Sequence, residues 1–412
     1  MLRRAMSKLP REEVRALLLE NIHPSSHDVF RSEGIVLETA SSALKEDELI
    51  ERLKGIQLLG IRSKTKVTPK VLEHAKDLIA IGAFCIGTNQ VALAHAARAG
   101  VPVFNAPFSN TRSVAELVMS EVVVLARQLF DRSREVHEGK WRKVATSCYE
   151  VRGKTIGIVG YGHIGSQVGV LAEALGMRVI TFDVRATLPI GNSKSTDTLS
   201  NLLRAADFVT LHVPETPQTK NLIGEAELAI MRKGSYLLNL SRGTVVDIPA
   251  LAAAIRSGHL AGASVDVYPE EPESNVDDFQ SELRGLPNVI LTPHVGGSTE
   301  EAQEAIGREV GVALSKFARH GTTAGTVNFP QVDVGPLLEG QRILNVHRNV
   351  PGVLRDINRI VSDRDANIRA QILATDTDVG YLVMDLDDRV AFDLHKDIGA
   401  LSTSIKTRIL ST

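Results

Sequence analysis

The run Lys154-Thr-Ile-Gly-Ile-Val-Gly160-Tyr-Gly162-His-Ile-Gly165 carries an apolar strand pattern directly into G-x-G-x-x-G, with helical spacing behind it. Gly160 permits a tight turn, Gly162 lets the backbone approach a pyrophosphate, and Gly165 allows a helix to pack closely on a strand. The N–H groups that open such a helix are turned towards phosphate. The same glycines also fit an ordinary turn, so the next segment decides. Arg178-Val-Ile-Thr-Phe-Asp183 is a second strand pattern, and it ends in an acid about twenty residues after the glycines, where ribose hydroxyls lie. Asp183 favours NAD over NADP because it would repel a 2′-phosphate, whereas Arg185 nearby weighs the other way. Read alone, Asp183 is also a plain strand-end carboxylate.

Around this motif the chain repeats strand and helix. Apolar runs at 16–19, 35–39, 56–61, 78–84 and 101–104 read as strands, and 42–54 and 89–99 have helical spacing. A second series at 155–160, 178–183, 207–213, 235–241, 263–268 and 289–292 has the six strands of a dinucleotide-binding sheet. A helical pattern at 113–129 links the two series, and another at 299–318 runs back to the first. Pro330, Gly335 and Pro336 mark a linker. Beyond it, strands at 342–347, 367–375, 379–386 and 404–410 with helices at 353–361 and 390–398 give βαββαβ, the order of a ferredoxin-like module.

The expected fold is therefore α/β, with two doubly wound parallel sheets, one flavodoxin-like and one Rossmann, and a small C-terminal domain. The expected boundaries are 1–109 with 298–330 for a discontinuous substrate-binding domain, 110–297 for the NAD domain, 331–340 for the linker and 341–412 for the C-terminal domain. A length of 412 residues suits two to three domains of about 150 residues each.

Composition narrows the partners. A net charge of −2, from 47 basic against 49 acidic residues, gives no surplus for gripping nucleic acid or an anionic membrane. No apolar run approaches the roughly 20 residues that span a bilayer, and Met1-Leu-Arg-Arg4 lacks a secretory core. Two cysteines, Cys85 and Cys148, exclude a disulfide framework though not a single bond, and fit a reducing cytoplasm. No metal-ligand spacing occurs. Cys85, His74 and His95 read as packing or surface residues.

Three polar residues follow the last three strands of the second series, at the sheet edge where open α/β folds bind ligands. They are Arg242 in Asn239-Leu-Ser-Arg-Gly243, Glu271 in Asp266-Val-Tyr-Pro-Glu-Glu-Pro272, and His294 in Leu291-Thr-Pro-His-Val-Gly-Gly297. A neutral imidazole takes the proton of a hydroxyl while its carbon loses hydride, and a carboxylate on the other ring nitrogen steadies the imidazolium. A guanidinium binds a carboxylate through two parallel hydrogen bonds. Singly, a turn-capping arginine, a solvated acid and a core histidine explain them as well; their convergence beside a nucleotide site does not follow from those readings.

With these motifs the sequence resembles the D-2-hydroxyacid dehydrogenase family over nearly the whole chain, from about Arg15 onwards. The resemblance implies Arg242 as the substrate-binding arginine, His294 as acid/base and Glu271 as its partner. It implies Asp266 on the nicotinamide amide, and His163 and Ile164 along the dinucleotide. Ile61-Arg62-Ser63-Lys64-Thr65 places two cations and two hydroxyls at a strand end, which suits a phosphate as well as a solvated basic turn. The resemblance puts Arg62, Ser63 and Lys64 over the substrate, with Asn110 of Asn105-Ala-Pro-Phe-Ser-Asn110. Trp141 and Lys143 resemble a region that reaches a neighbouring subunit, so Lys143 is expected at the neighbour's phosphate.

The C-terminal module resembles an ACT domain through His347-Arg-Asn-Val-Pro-Gly352 and Asn367. In members of the family that carry it, such a module binds serine between subunits, which implies His347, Asn349 and Asn367 as serine contacts. Arg348 and Val350 depart from that pattern, standing where an acid and an arginine are expected. The bland reading is a purely oligomerising domain. The function implied is NAD-dependent oxidation of 3-phospho-D-glycerate to 3-phosphooxypyruvate, the entry to serine synthesis, by a cytoplasmic homotetramer inhibited by serine and able to reduce 2-oxoglutarate. The alternatives are a reductase for glyoxylate, hydroxypyruvate or another 2-oxo acid, and a non-enzymatic NADH sensor like the C-terminal-binding corepressors.

Overall fold

In the computed structural model, which describes residues 13–272, 278–387 and 391–411 (backbone only at 391 and 392), the first apolar runs form five parallel strands. These are β1 (Arg15–Leu18), β2 (Val36–Thr39), β3 (Leu58–Ile61), β4 (Ala80–Ala83) and β5 (Val103–Asn105), in the order β2-β1-β3-β4-β5. That is the flavodoxin-like order expected. Near-continuous burial of β1, β3 and β4 explains why their sequences are apolar without alternation. The Met1-Leu-Arg-Arg4 start and Val390, the first residue of the helix expected at 390–398, lie outside the described residues.

The chain divides into two compact units, one up to Ser109 together with Gln303 onwards, the other from Asn110 to Ala302. In the first unit the C-terminal module forms an antiparallel sheet of β13 (Gln341–Arg348), β14 (Ile368–Thr375), β15 (Val379–Leu386) and β16 (Ser404–Ser411), ordered β14-β15-β13-β16. Its Leu344, Val346, Tyr381 and Val383 share one buried core with Phe104, Val310, Leu314 and Phe317. The segment read as a linker is packed rather than loose: Val332 is buried, and its N–H and C=O bond Thr323.

The module also caps the helix Glu300–His320 at its electronegative end. Arg408 donates to the Ala318 carbonyl at 3.0 Å, Arg342 to the His320 carbonyl at 2.8 Å, and the Tyr381 hydroxyl to the Gly321 carbonyl at 2.6 Å. Arg342 is in turn paired with both Asp385 oxygens, so its charge is not left alone in the interior.

The second unit is a parallel sheet of β6 (Thr155–Val159), β7 (Arg178–Phe182), β8 (Lys194–Ser195), β9 (Phe208–Leu211), β10 (Ser235–Asn239), β11 (Leu260–Val265) and β12 (Val289–Leu291). The order β12-β11-β10-β9-β6-β7-β8 adds one short edge strand, β8, to the six expected. Two expectations shift. The strand expected at 263–268 runs from Leu260 to Val265 and includes Gly262, where a Cβ would collide with the Asn288 carbonyl oxygen. The helix expected over 113–129 is Thr111–Arg127, and Gln128 at φ 52° turns the chain into a second helix, Leu129–His137.

Candidate active site

Parallel pairing of β10, β11 and β12 sets their carboxyl ends side by side, and the loops that follow carry Arg242, Glu271 and His294. Each loop is built by a buried polar group. Asn239, fully buried at the end of β10, donates to the Arg242 carbonyl at 3.0 Å and accepts from the Ser241 N–H and hydroxyl. Gly243 lets this loop touch the next: a Cβ there would stand 1.9 Å from the Tyr268 carbonyl carbon, which only glycine avoids.

Asp266 organises the histidine turn. Its backbone carbonyl accepts from the His294 N–H at 2.8 Å, Oδ1 accepts from the Thr292 hydroxyl at 2.6 Å and the Val295 N–H at 2.8 Å, and Oδ2 accepts from the Gly296 N–H at 2.9 Å. These bonds hold His294 at φ 54°, a conformation that a non-glycine residue adopts only when its surroundings impose it. Three of the roughly four acceptor directions of the Asp266 carboxylate are taken, so one is left for the nicotinamide amide expected there.

His294 Nδ1 lies 2.9 and 3.0 Å from the two Glu271 oxygens. The Glu271 hydrogen bond raises the histidine pKa above its ordinary value, against burial, which lowers it. For Glu271, burial works to raise the carboxyl, but the His294 hydrogen bond and charge prevail and hold it below the ordinary carboxylate range. With Nδ1–H donated to a carboxylate, Nε2 is the free base. Arg242, half-buried with Nη1 on the Ser241 carbonyl at 2.7 Å, acts electrostatically on both partners. The structure thus brings together the three residues that the sequence proposed.

The glycine loop fits a dinucleotide. Gly160 has φ 91°, and a Cβ there would meet the His212 carbonyl oxygen at 2.6 Å; a Cβ on Gly165 would strike the Gly160 carbonyl oxygen at 2.2 Å. Gly162 is different, because a Cβ there meets nothing within 4 Å, the space a phosphate needs. The helix His163–Ala174 opens at Gly162 with no side-chain cap. Asp183, just past β7, accepts from the Tyr161 N–H at 2.8 Å and the Arg185 N–H at 2.9 Å, fixing the loop while keeping acceptor capacity for ribose hydroxyls. Asn110 ends the entry to helix Thr111–Arg127, with its Oδ1 buried and without a hydrogen bond.

In the other unit, Arg62, Ser63 and Lys64 leave the end of β3 with side chains half-buried or exposed. Their backbone is held by Glu20, which the sequence reading missed. The buried Glu20 carboxylate accepts from the N–H groups of Arg62, Lys64 and Thr65 at 3.2, 3.0 and 2.8 Å. Those three N–H groups are therefore spent, which leaves the Arg62, Ser63 and Lys64 side chains as the polar groups this turn presents. The available signal was an acid directly after the buried run of β1. Glu20→Gln is expected to cost about 1–3 kcal/mol of stability through unsatisfied donors. It should also raise KM for a phosphorylated substrate with little change in kcat, as steady-state kinetics and thermal unfolding would show.

In the C-terminal module His347 is buried with Nδ1 3.0 Å from Asn345 Oδ1, and burial lowers its pKa. Asn349 donates to the Asp376 carbonyl, and Asn367 to Asp387. Strand register puts Asn367 beside the Gln341 end of β13 and His347 at the other, so within one chain the three expected serine contacts do not meet. Trp141 is 84% exposed and Lys143 is exposed. Neither Cys85 nor Cys148 is in a disulfide.

A dinucleotide cradle beside a carboxylate-backed histidine and an arginine defines an NAD-dependent dehydrogenase of 2-hydroxy acids. Residues 119–296 match the family model described as D-isomer specific 2-hydroxyacid dehydrogenase, NAD binding domain, and residues 343–406 match the AHAS small subunit-like ACT domain. A solved D-isomer specific 2-hydroxyacid dehydrogenase from Lactobacillus delbrueckii ssp. bulgaricus, in its NAD complexed form, covers 76% of this chain and all of its own at 26% identity and a TM-score of 0.68. D-3-phosphoglycerate dehydrogenase of Dictyostelium discoideum is 54% identical over 98% of this chain and 99% of its own. That of Escherichia coli K12 is 47% identical over 98% and 100%. The chain belongs to the D-3-phosphoglycerate dehydrogenase family, within the D-2-hydroxyacid dehydrogenases.

Proposed function

We propose that the protein oxidises 3-phospho-D-glycerate to 3-phosphooxypyruvate with NAD, the first step of serine synthesis. The observation that carries this reading is the His294–Glu271 pair at 2.9 Å, set beside Arg242 at the carboxyl edge of the dinucleotide sheet. NAD, when bound, supplies the acceptor for the hydride leaving C2. His294 Nε2 takes the C2 hydroxyl proton, and Glu271 stabilises the imidazolium that results. Arg242 binds the substrate carboxylate and polarises the oxygen at C2 as it becomes a carbonyl. Gly160, Gly162 and Gly165, with His163 and Ile164, hold the dinucleotide along the helix N-terminus, and Asp183 takes the ribose hydroxyls.

Arg62, Ser63 and Lys64 hold the substrate phosphate, with Asn110 as a further substrate contact and Lys143 serving a neighbouring copy. Arg62→Ala should raise KM for the phosphorylated acid by about tenfold or more, the loss of one charge-assisted contact. KM for D-glycerate or D-lactate should barely change. A uniform rise would reject the phosphate assignment and favour a reductase of unphosphorylated 2-oxo acids.

Functionally, residues 1–109 and 298–330 bind substrate, 110–297 bind NAD, and 341–412 regulate. The separation of Asn367 from His347 and Asn349, roughly 20 Å along an eight-residue strand, supports a serine site completed by a second copy, hence a homo-oligomer, read here as a tetramer. Among the described residues no helix is long and apolar enough to cross a membrane. We place the enzyme in the cytoplasm, and reduction of 2-oxoglutarate is a further expected activity of the same site.

A further inference from the structure

In the first unit β3 and β4 pair in parallel, Ile61 beside Ala83, so the loops that follow them leave the same edge of the sheet. One is the basic turn that starts at Arg62; the other is the segment 85–88. Gln90, half-buried, ties the two together. Its amide donates to the Arg62 carbonyl at 2.6 Å and to the Gly87 carbonyl at 3.3 Å, and lies 3.4 Å from the Cys85 sulfur. Its own carbonyl accepts from the Val67 N–H at 2.8 Å, so residue 90 holds the basic turn at both ends.

The two loops offer opposite kinds of donor. In the basic turn Glu20 takes the N–H groups of Arg62, Lys64 and Thr65, and the cationic side chains remain. In 85–88 it is the carbonyls that are spent: that of Cys85 accepts from the Ala106 N–H at 3.2 Å, that of Ile86 from the Asn105 amide at 2.6 Å, and that of Gly87 from Gln90 and from the Cys85 thiol at 3.1 Å. Among the described residues none accepts from the N–H of Ile86, Gly87 or Thr88. Such N–H groups are donors for an anionic group. An amide nitrogen carries two hydrogens in one plane, so Gln90 cannot slacken its hold on one loop without turning away from the other.

We propose that Gln90 is a positioning residue that sets the distance between the phosphate-reading side chains and the donors of 85–88, and thereby selects the length of the acid. A three-carbon phosphorylated acid fits that distance; one a carbon longer does not. This rests on Arg62, Ser63 and Lys64 reading the phosphate. Gln90 itself acts through the Arg62 backbone and meets no substrate atom.

Gln90→Met keeps the length of the side chain and removes its donors. The test measures kcat and KM for 3-phospho-D-glycerate and D-glycerate, and follows the four-carbon 4-phospho-D-erythronate as a substrate or, where it is not turned over, as a competitive inhibitor. KM for 3-phospho-D-glycerate should rise about fivefold to tenfold, the scale of one lost hydrogen bond, with little change in kcat. The preference for the three-carbon over the four-carbon phosphorylated acid should fall by a similar factor, while KM for D-glycerate, which has no phosphate to reach the turn, should hold. Gln90→Asn, whose amide is one carbon short of joining both loops, should lower the preference by less, and serves if the methionine variant fails to fold. An unchanged preference in the variant that folds, even with a uniform loss of rate, would overturn the proposal and leave Gln90 a stabiliser of the fold. Arg62→Ala separates the two possible failures. If it affects phosphorylated and unphosphorylated acids alike, the phosphate reading falls and this proposal with it; if it discriminates between them while Gln90→Met does not, the spacing alone is refuted.

Discussion

His294→Ala should lower turnover by about 10²–10⁴-fold, the scale of a lost general acid/base, while NADH binding changes little. On the proposed reading the two separate, because the histidine would meet the reacting hydroxyl while the dinucleotide would lie along the glycine loop and Asp183, whose bonds do not involve the imidazole. Binding is read from NADH fluorescence and turnover from NADH formation; parallel losses would mean that the turn, not the ring, was removed. The wild type carries a pH signature with a definite sign. Glu271 raises the His294 pKa above its usual 6.5, so oxidation, which needs the free base, climbs with pH through a midpoint above that value. Reduction of the oxo acid needs the imidazolium and falls through the same midpoint.

Arg242→Ala should lower kcat/KM by about 10²–10³-fold, as expected where a charged donor is lost from the developing oxygen. Lysine should not restore it, because a point charge cannot reproduce the guanidinium fork that the Asn239-built loop aims. The loss should be equal for phosphorylated and unphosphorylated acids, since every substrate of the class has the carboxylate. That separates Arg242 from Arg62, whose replacement discriminates between them. A loss confined to phosphorylated substrates would move Arg242 to the phosphate and leave the carboxylate without a partner.

Much of this site was legible in the sequence because its chemistry lies at strand ends. The G-x-G-x-x-G turn, Arg242, Glu271 and His294 each follow an apolar run directly, and parallel pairing then brings them to one edge. What stayed hidden is what holds those residues. Glu20 and Asp266 work through backbone N–H groups, and a backbone donor has no signature in sequence. The strand that starts at Leu260 reads three residues late in the sequence, since the contact that calls for glycine at 262 is with the Asn288 carbonyl, 26 residues away. The segment after Asn328 read as a linker from its prolines, although Val332 is buried through contacts that local composition cannot foretell.

The most direct test of the central claim is NADH formation from 3-phospho-D-glycerate and NAD with a hydrazine trap for the oxo product, run beside D-glycerate and D-lactate, with and without serine. Turnover should strongly prefer the phosphorylated acid, drop by orders of magnitude in His294→Ala, and in the wild type fall when serine is added. Equal rates on unphosphorylated acids would contradict the substrate, and indifference to serine would contradict the regulatory reading. No turnover on any of them, with NADH still bound, would return the chain to the non-enzymatic NADH sensor.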